Sequence, residues 1–263
     1  MGPIDPGARG ADGSAGDVDY GVIGVSYSAY RRPDPRIAAL ILEALGGART
    51  VLNVGAGAGS YEPRDRLVTA VEPSASMRGQ RPADLNTAID AIAEDLPFED
   101  DSFDAAMTTF SIHQWSDVAR GLAELRRVTR GPIVVLTCDP HLVRNFWLYE
   151  YAPEVLDEEA RRYPDLDVIV TGLGGTVSTR VVPIPLDCTD GFNEAYYGRP
   201  ERLLDPAARL SCSAWSFVDA AAARRFVEHL SADIETGVWD ARHGHLRTQP
   251  WLDGSLVLLT RNP

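Results

Sequence analysis

The run Val51-Leu52-Asn53-Val54-Gly55-Ala56-Gly57-Ala58-Gly59 constrains this chain most. A short apolar, β-branched stretch leads into three glycines at alternate positions. A strand that ends in such a loop lets a ligand lie against bare backbone, where any side chain would collide. A second strand-like run, Leu67-Val68-Thr69-Ala70-Val71, ends in Glu72. A carboxylate at the tip of a second strand is placed to accept hydrogen bonds from ribose hydroxyls. Strand, glycine loop, strand and acid together predict an α/β sheet that holds a nucleoside-containing cofactor.

The spacing narrows the choice. The dinucleotide fingerprint is G-x-G-x-x-G, and here the third glycine comes one position early, with Ser60 in the dinucleotide position. Downstream stand Ala93-Glu94-Asp95-Leu96-Pro97-Phe98, then Ser102-Phe103-Asp104, then Phe110-Ser111-Ile112-His113-Gln114-Trp115. These four ordered elements over residues 50 to 138 resemble class I S-adenosylmethionine-dependent methyltransferases, and the wider pattern, including Tyr30-Arg31-Arg32-Pro33 and Pro183-Ile184-Pro185, resembles the small-molecule type found in bacterial specialised metabolism. The resemblance implies a Rossmann-like, seven-stranded sheet with an inserted helical cap, and S-adenosyl-L-methionine as cofactor. It implies cofactor contacts at Gly55, Ala56, Gly57, Gly59, Glu72, Pro73, Ala93, Glu94, Asp95, Leu96, Phe110 and Ser111. It also implies an N-terminal lid in which Tyr27, Tyr30 and Arg31 face the cofactor, through aromatic faces for a sulfonium and a cation for its carboxylate.

Three features depart from the family pattern. Asn53 stands where an acid is usual. Ile92 stands where many relatives carry an acid near the adenine amino group, which turns attention to Glu94 and Asp95. The stretch between Gly59 and Leu67 is short and contains Pro63, so the first crossover helix is expected to be a turn or two. Cofactor anchoring then leans on loop N–H groups rather than on a long helix dipole.

His113 reads two ways. A neutral imidazole near pH 7 can take a proton from an acceptor as the methyl group arrives; equally, it can shape the pocket and bond backbone. Tyr27 is the other candidate for a catalytic role. His243-Gly244-His245 has no third ligand at a metal-site spacing and reads as a solvated turn, so no metal is expected.

The rest of the chain sets bounds. Its 263 residues allow one large α/β domain with an insertion. The expected organisation is a disordered 1–18, a helical lid over 19–48, the cofactor core over 49–138, an acceptor-binding cap with strand six over 139–235, and a closing strand within 236–263. Asp34-Pro35 opens a helix that Gly46-Gly47 stops, and Asp117 caps another through Arg127. The formal charge of −13 lacks the basic face that duplex binding needs. No apolar run spans a bilayer and no signal-peptide pattern opens the chain. Cys138, Cys188 and Cys212 are widely spaced and odd in number, which suggests reduced thiols in the cytoplasm. The expected partner is a small-molecule acceptor, with no nucleic acid and no membrane, and with homo-oligomerisation left open. Rival readings are a macromolecule methyltransferase, a cofactor-binding cyclase or decarboxylase that transfers no methyl, and a non-catalytic scaffold.

Overall fold

The computed structural model describes residues 27–263 and Gly13, with the backbone alone at Tyr27 and Ser28. The expectations for residues 1–18, for most of the lid segment before Tyr27 and for the Tyr27 side chain lie outside the described residues.

The elements run in chain order as follows. A single turn α1 (Tyr27–Tyr30) precedes α2 (Pro35–Leu45), β1 (Thr50–Val54) and β2 (Leu67–Val71). Then come α3 (Ala75–Gly79), β3 (Ala105–Thr109), α4 (Val118–Val128) and β4 (Ile133–Cys138). After β4 the chain passes through 3-10 turns into α5 (Pro153–Arg162) and α6 (Leu166–Leu173). The strands β5 (Thr176–Val181) and β6 (Ile184–Pro185) follow, then α7 (Pro206–Leu210), α8 (Ala220–Glu235) and α9 (Val238–His243). Finally β7 (Trp251–Leu252) pairs with β6, and β8 (Leu256–Asn262) closes the main sheet.

Among the described residues the main sheet has six strands in the order β2-β1-β3-β4-β8-β5. The first four run parallel through three pairings, and β8 runs antiparallel to both β4 and β5. The family implied seven strands. The position outside β2 is filled by a single parallel bridge, Val71 to Ile89, fastened by Glu72 N–H to Ile89 O and Ile89 N–H to Ala70 O. The chain around Ile89 is too short and too interrupted to extend that ladder.

All six residues of β4 are buried, as a strand covered on both faces requires. Alternation sends Val134 and Leu136 toward Ile37, Ile41 and Leu45 of α2, and Ile133 and Val135 toward Leu122, Leu125, Ile169 and Leu173 of α4 and α6. Each fully buried Leu or Ile of these faces contributes roughly 1.5–3 kcal/mol of apolar transfer. Asp34 caps α2 by accepting from Arg36 N–H, and Asp117 caps α4 by accepting from Arg120 N–H.

The first crossover differs from expectation: residues 55–66 contain no helix. Tyr61 adopts φ 63°, and Pro63 removes a backbone donor two residues later, so the chain turns back instead of winding up. Helix α6 is an element the sequence reading did not foresee. Among the described residues no helix is long and apolar enough to cross a membrane. The three cysteines are free and buried.

Candidate active site

The glycine loop leaves β1 in left-handed backbone, with φ of 67° at Gly55, 51° at Gly57 and 92° at Gly59. At Gly55 the constraint is double, because a Cβ there would lie 1.7 Å from Ser111 Oγ. Glu72, at the tip of β2, holds the loop: Oε2 accepts from Gly57 N–H at 2.8 Å, and Oε1 accepts from Ser74 N–H at 2.8 Å. The acid is 7% exposed and faces the cleft.

A buried network braces the loop from behind. Arg81 donates to both oxygens of Glu62 at 2.9 Å, with side-chain exposures of 4% and 1%. Asn53 Nδ2 donates to Glu62 Oε1 at 3.0 Å, so the amide at position 53 joins this network in place of the family's acid. Arg81 also reaches Gly57 O and Asn86 O. The sequence offered no signal for this pair, because Glu62 and Arg81 stand 19 residues apart with no motif linking them.

Above the loop lies a cleft of about 730 Å³. Of the residues expected at the cofactor, Gly55, Ala56, Gly57, Glu72, Pro73, Ala93, Glu94, Phe110 and Ser111 line it. Gly59 does not; it turns back against Leu85, whose Cδ1 would stand 2.2 Å from an added Cβ. Asp95 is exposed outside the cleft, and Leu96 is buried in the core with its N–H bonded to Glu124 Oε2. Glu94 lines the cleft, yet its Oε1 also accepts from Ser116 Oγ and Asp117 N–H, which ties the start of α4 to the wall.

Neither Tyr30 nor Arg31 lines this cleft. Tyr30 donates its hydroxyl to Asp205 Oδ2 at 2.6 Å, and Arg31 Nε donates to Asp190 Oδ1 at 2.5 Å. The same Asp190 accepts from Tyr61 at 2.9 Å. Two buried or half-buried carboxylates of the segment after β4 thus hold these side chains outside the cleft.

Arg31 instead borders a second cavity of about 510 Å³. Its walls include His113, Glu159, Arg162, Tyr163, Phe192 and Asn193, most of them supplied by the segment after β4. Phe110 borders both spaces; it takes φ 50°, an unusual backbone for a bulky residue, directly after β3. The 3-10 turn Ile112–Gln114 stands between the two spaces, with His113 lining the second cavity and Gln114 lining the cleft.

His113 stacks at 4.7 Å from the Tyr163 ring, and its buried Nδ1 has no hydrogen-bond partner among the described residues. Burial, reinforced by the Arg162 and Arg31 cations, holds the imidazole well below its usual range, so it is neutral at pH 7. Burial pushes the Glu159 carboxyl up, while Asn193 Nδ2 donates to it at 2.7 Å. Burial also pushes the Cys138 thiol up and Cys212 up to about 12, which removes both as thiolate nucleophiles.

The cleft fits a nucleoside-containing cofactor on two observations. The glycine cradle has no room for a Cβ at Gly55. Gln114 presents an amide whose Oε1 and Nε2 are both buried and without hydrogen-bond partners among the described residues.

Comparison with known proteins agrees. Residues 52–132 match the methyltransferase domain family. The fold is similar to a crystal structure of a candidate methyltransferase from an antibiotic biosynthesis pathway of Anabaena variabilis. That likeness has a TM-score of 0.83 and 29% identity, and covers 89% of this chain and 99% of that one. The uncharacterized methyltransferase YcgJ of Bacillus subtilis is 32% identical over 121 residues, 41% of this chain and 44% of that protein. The uncharacterized protein YafE of Escherichia coli is 40% identical over 60 residues, 21% of this chain and 29% of that protein. The chain thus spans less than half the length of these two curated relatives. The fold and the glycine-loop site resemble those of class I S-adenosylmethionine-dependent methyltransferases, and the matched segment is residues 52–132.

Proposed function

We propose that this chain transfers the methyl group of S-adenosylmethionine to a small-molecule acceptor bound in the His113 cavity, in a specialised biosynthetic pathway. The observation that carries the reading is the pair of adjoining spaces: a glycine-cradled cleft with Glu72 at the ribose position, and a mixed polar and aromatic recess that shares Phe110 with it. The near full-length likeness to the Anabaena variabilis protein favours specialised metabolism.

In this reading the bound cofactor supplies an electrophilic methyl group. The chain's residues hold the two reactants in line and exclude water. His113 is neutral, and its buried Nδ1, without a partner among the described residues, is the group placed to accept a hydrogen bond from the acceptor. Glu72 exchanges its loop contact for, or adds to it, the ribose hydroxyls. Arg31 and Arg162 shape the polar side of the acceptor cavity.

The test is thermal stabilisation by S-adenosylmethionine, S-adenosylhomocysteine and NAD in parallel. A ligand at about 100 times its dissociation constant adds roughly 2.7 kcal/mol of stability. The first two compounds are expected to stabilise the chain, and Glu72→Ala to abolish most of the shift. With acceptor candidates drawn from the cavity's chemistry, His113→Ala is expected to keep S-adenosylhomocysteine binding and lose turnover. Stabilisation by NAD alone would sink the reading; a product of unchanged methyl count would shift it to cyclase or decarboxylase chemistry.

A further inference from the structure

Gln114 is the unexplained group of the cleft. Its position on the 3-10 turn after β3 directs it into the cofactor space, while its neighbour His113 serves the other cavity. The residue is 7% exposed, and neither amide atom has a hydrogen-bond partner among the described residues. A buried primary amide with both atoms unpaired costs about 1–3 kcal/mol per group, so the folded chain carries a penalty that a ligand can remove.

The other lining groups limit what that ligand portion is. Glu72, at the ribose position, already bonds Gly57 and Ser74. The wall from Ala91 to Ala93 is apolar, and Glu94 is engaged through Oε1 with Ser116 and Asp117. Asp95, the other acid near this wall, is exposed outside the cleft. Trp115, next to Gln114, packs on the same wall, since a Cβ on Gly121 would touch both the Trp115 ring and Ala93. A primary amide offers an acceptor and a donor side by side, the complement of an adenine edge that presents an exocyclic N–H and a ring nitrogen. The charged amino and carboxylate groups at the other end of the cofactor call for charged or backbone partners instead.

We infer that Gln114 reads the adenine base of the cofactor, its Oε1 accepting from the exocyclic amino group and its Nε2 donating to a ring nitrogen. This rests on the cofactor reading above. Gln114 is therefore a specificity-determining residue that the loop and the strand-tip acid do not reveal.

The experiment compares Gln114→Met with the parent chain in calorimetric titrations of two ligands. One is S-adenosylhomocysteine; the other is its purine riboside analogue, in which hydrogen replaces the exocyclic amine. The parent is expected to prefer the adenosyl compound by about tenfold, because the analogue leaves the Gln114 Oε1 without its donor. Gln114→Met is expected to weaken the adenosyl compound about tenfold or more, to weaken the analogue less, and so to shrink the preference. It is also expected to raise the ligand-free melting temperature, because Met of similar length removes two unpaired polar atoms. A lower ligand-free melting temperature would show the amide to be structural. Equal weakening of both ligands, or loss of preference in Glu94→Gln instead, would place the contact elsewhere. Each of these overturns the inference alone; failure of the parent to bind either compound overturns the cofactor reading with it.

Discussion

Gly55 shows how one position carries both fold and site. Its φ of 67° disfavours any L side chain, and the cleft wall leaves no room for one. Gly55→Ala is expected to cost about 2–4 kcal/mol in urea denaturation, from backbone strain plus the clash with Ser111. The double variant with Ser111→Gly relieves the clash and should recover all but about 1–2 kcal/mol, the backbone part. No recovery would mean that Ser111 is not what confines this position. Gly55 and Glu72 were legible in the sequence because a strand, a glycine loop and a strand-tip acid have fixed spacing. Gln114 was not. It sits in a six-residue motif beside His113, and only the phase of a single 3-10 turn decides which cavity each of the two enters. The contacts of Tyr30 and Arg31 were illegible for a related reason: their partners Asp205 and Asp190 lie 175 and 159 residues away.

Among the elements, α2 and α4 could be read from their caps, Asp34-Pro35 and Asp117, and the strands from β-branched runs. Helix α6 could not. Its Val168-Ile169-Val170 core favours a strand locally, and helix wins because Ile169 and Leu173 bury against α4. Close approach is part of that packing, since Gly172 leaves Leu122 no room for a Cβ: Cδ1 would stand at 2.4 Å and Leu122 Cβ at 3.2 Å. Gly172→Val is therefore expected to destabilise the fold by about 1–3 kcal/mol through overpacking, despite the helix propensity it gains over Gly. Since neither Gly172 nor Leu122 lines the cleft, S-adenosylhomocysteine affinity should hold. Unchanged or increased stability in chemical denaturation would mean the two helices can part at no cost. The missing outer strand has the same lesson in reverse: local apolar content around Ile89 suffices for one bridge, not for a ladder.

The molecule is joined across long sequence distances by a group that composition alone would place on the surface. Glu194, 7% exposed, accepts from Ser255 N–H at 3.0 Å and from Ser255 Oγ at 2.9 Å, and Ser255 O accepts from Asp139 N–H. One carboxyl thus fastens the inserted segment to the start of the closing strand and to the end of β4. Gly254 has to be glycine here, because a Cβ would lie 2.7 Å from Glu194 Oε2. Burial pushes the carboxyl from its ordinary 4.5 up to about 7, with the like charge of Glu159 adding to the rise and the Ser255 hydrogen bonds opposing it. Because the folded chain holds this proton more tightly than the unfolded chain does, the stability it contributes is complete below about pH 4.5 and is lost as pH rises through about 7. His113 acts in the opposite sense: its depressed imidazole contributes stability above pH 6.5 that is lost on acidification. Comparing Glu194→Gln with the parent isolates the first effect, since His113 is common to both. At pH 4.5 both carry a neutral group that can bond Ser255, and their stabilities should agree closely. By pH 8 the parent must bury a charge while the variant does not, and the variant should be more stable by about 3 kcal/mol. Urea titrations at several pH values between these limits read the difference directly. A gap that stays constant, or that favours the parent more strongly as pH rises, would show that Glu194 is ionised without penalty and that its hydrogen bonds to Ser255 outweigh its burial.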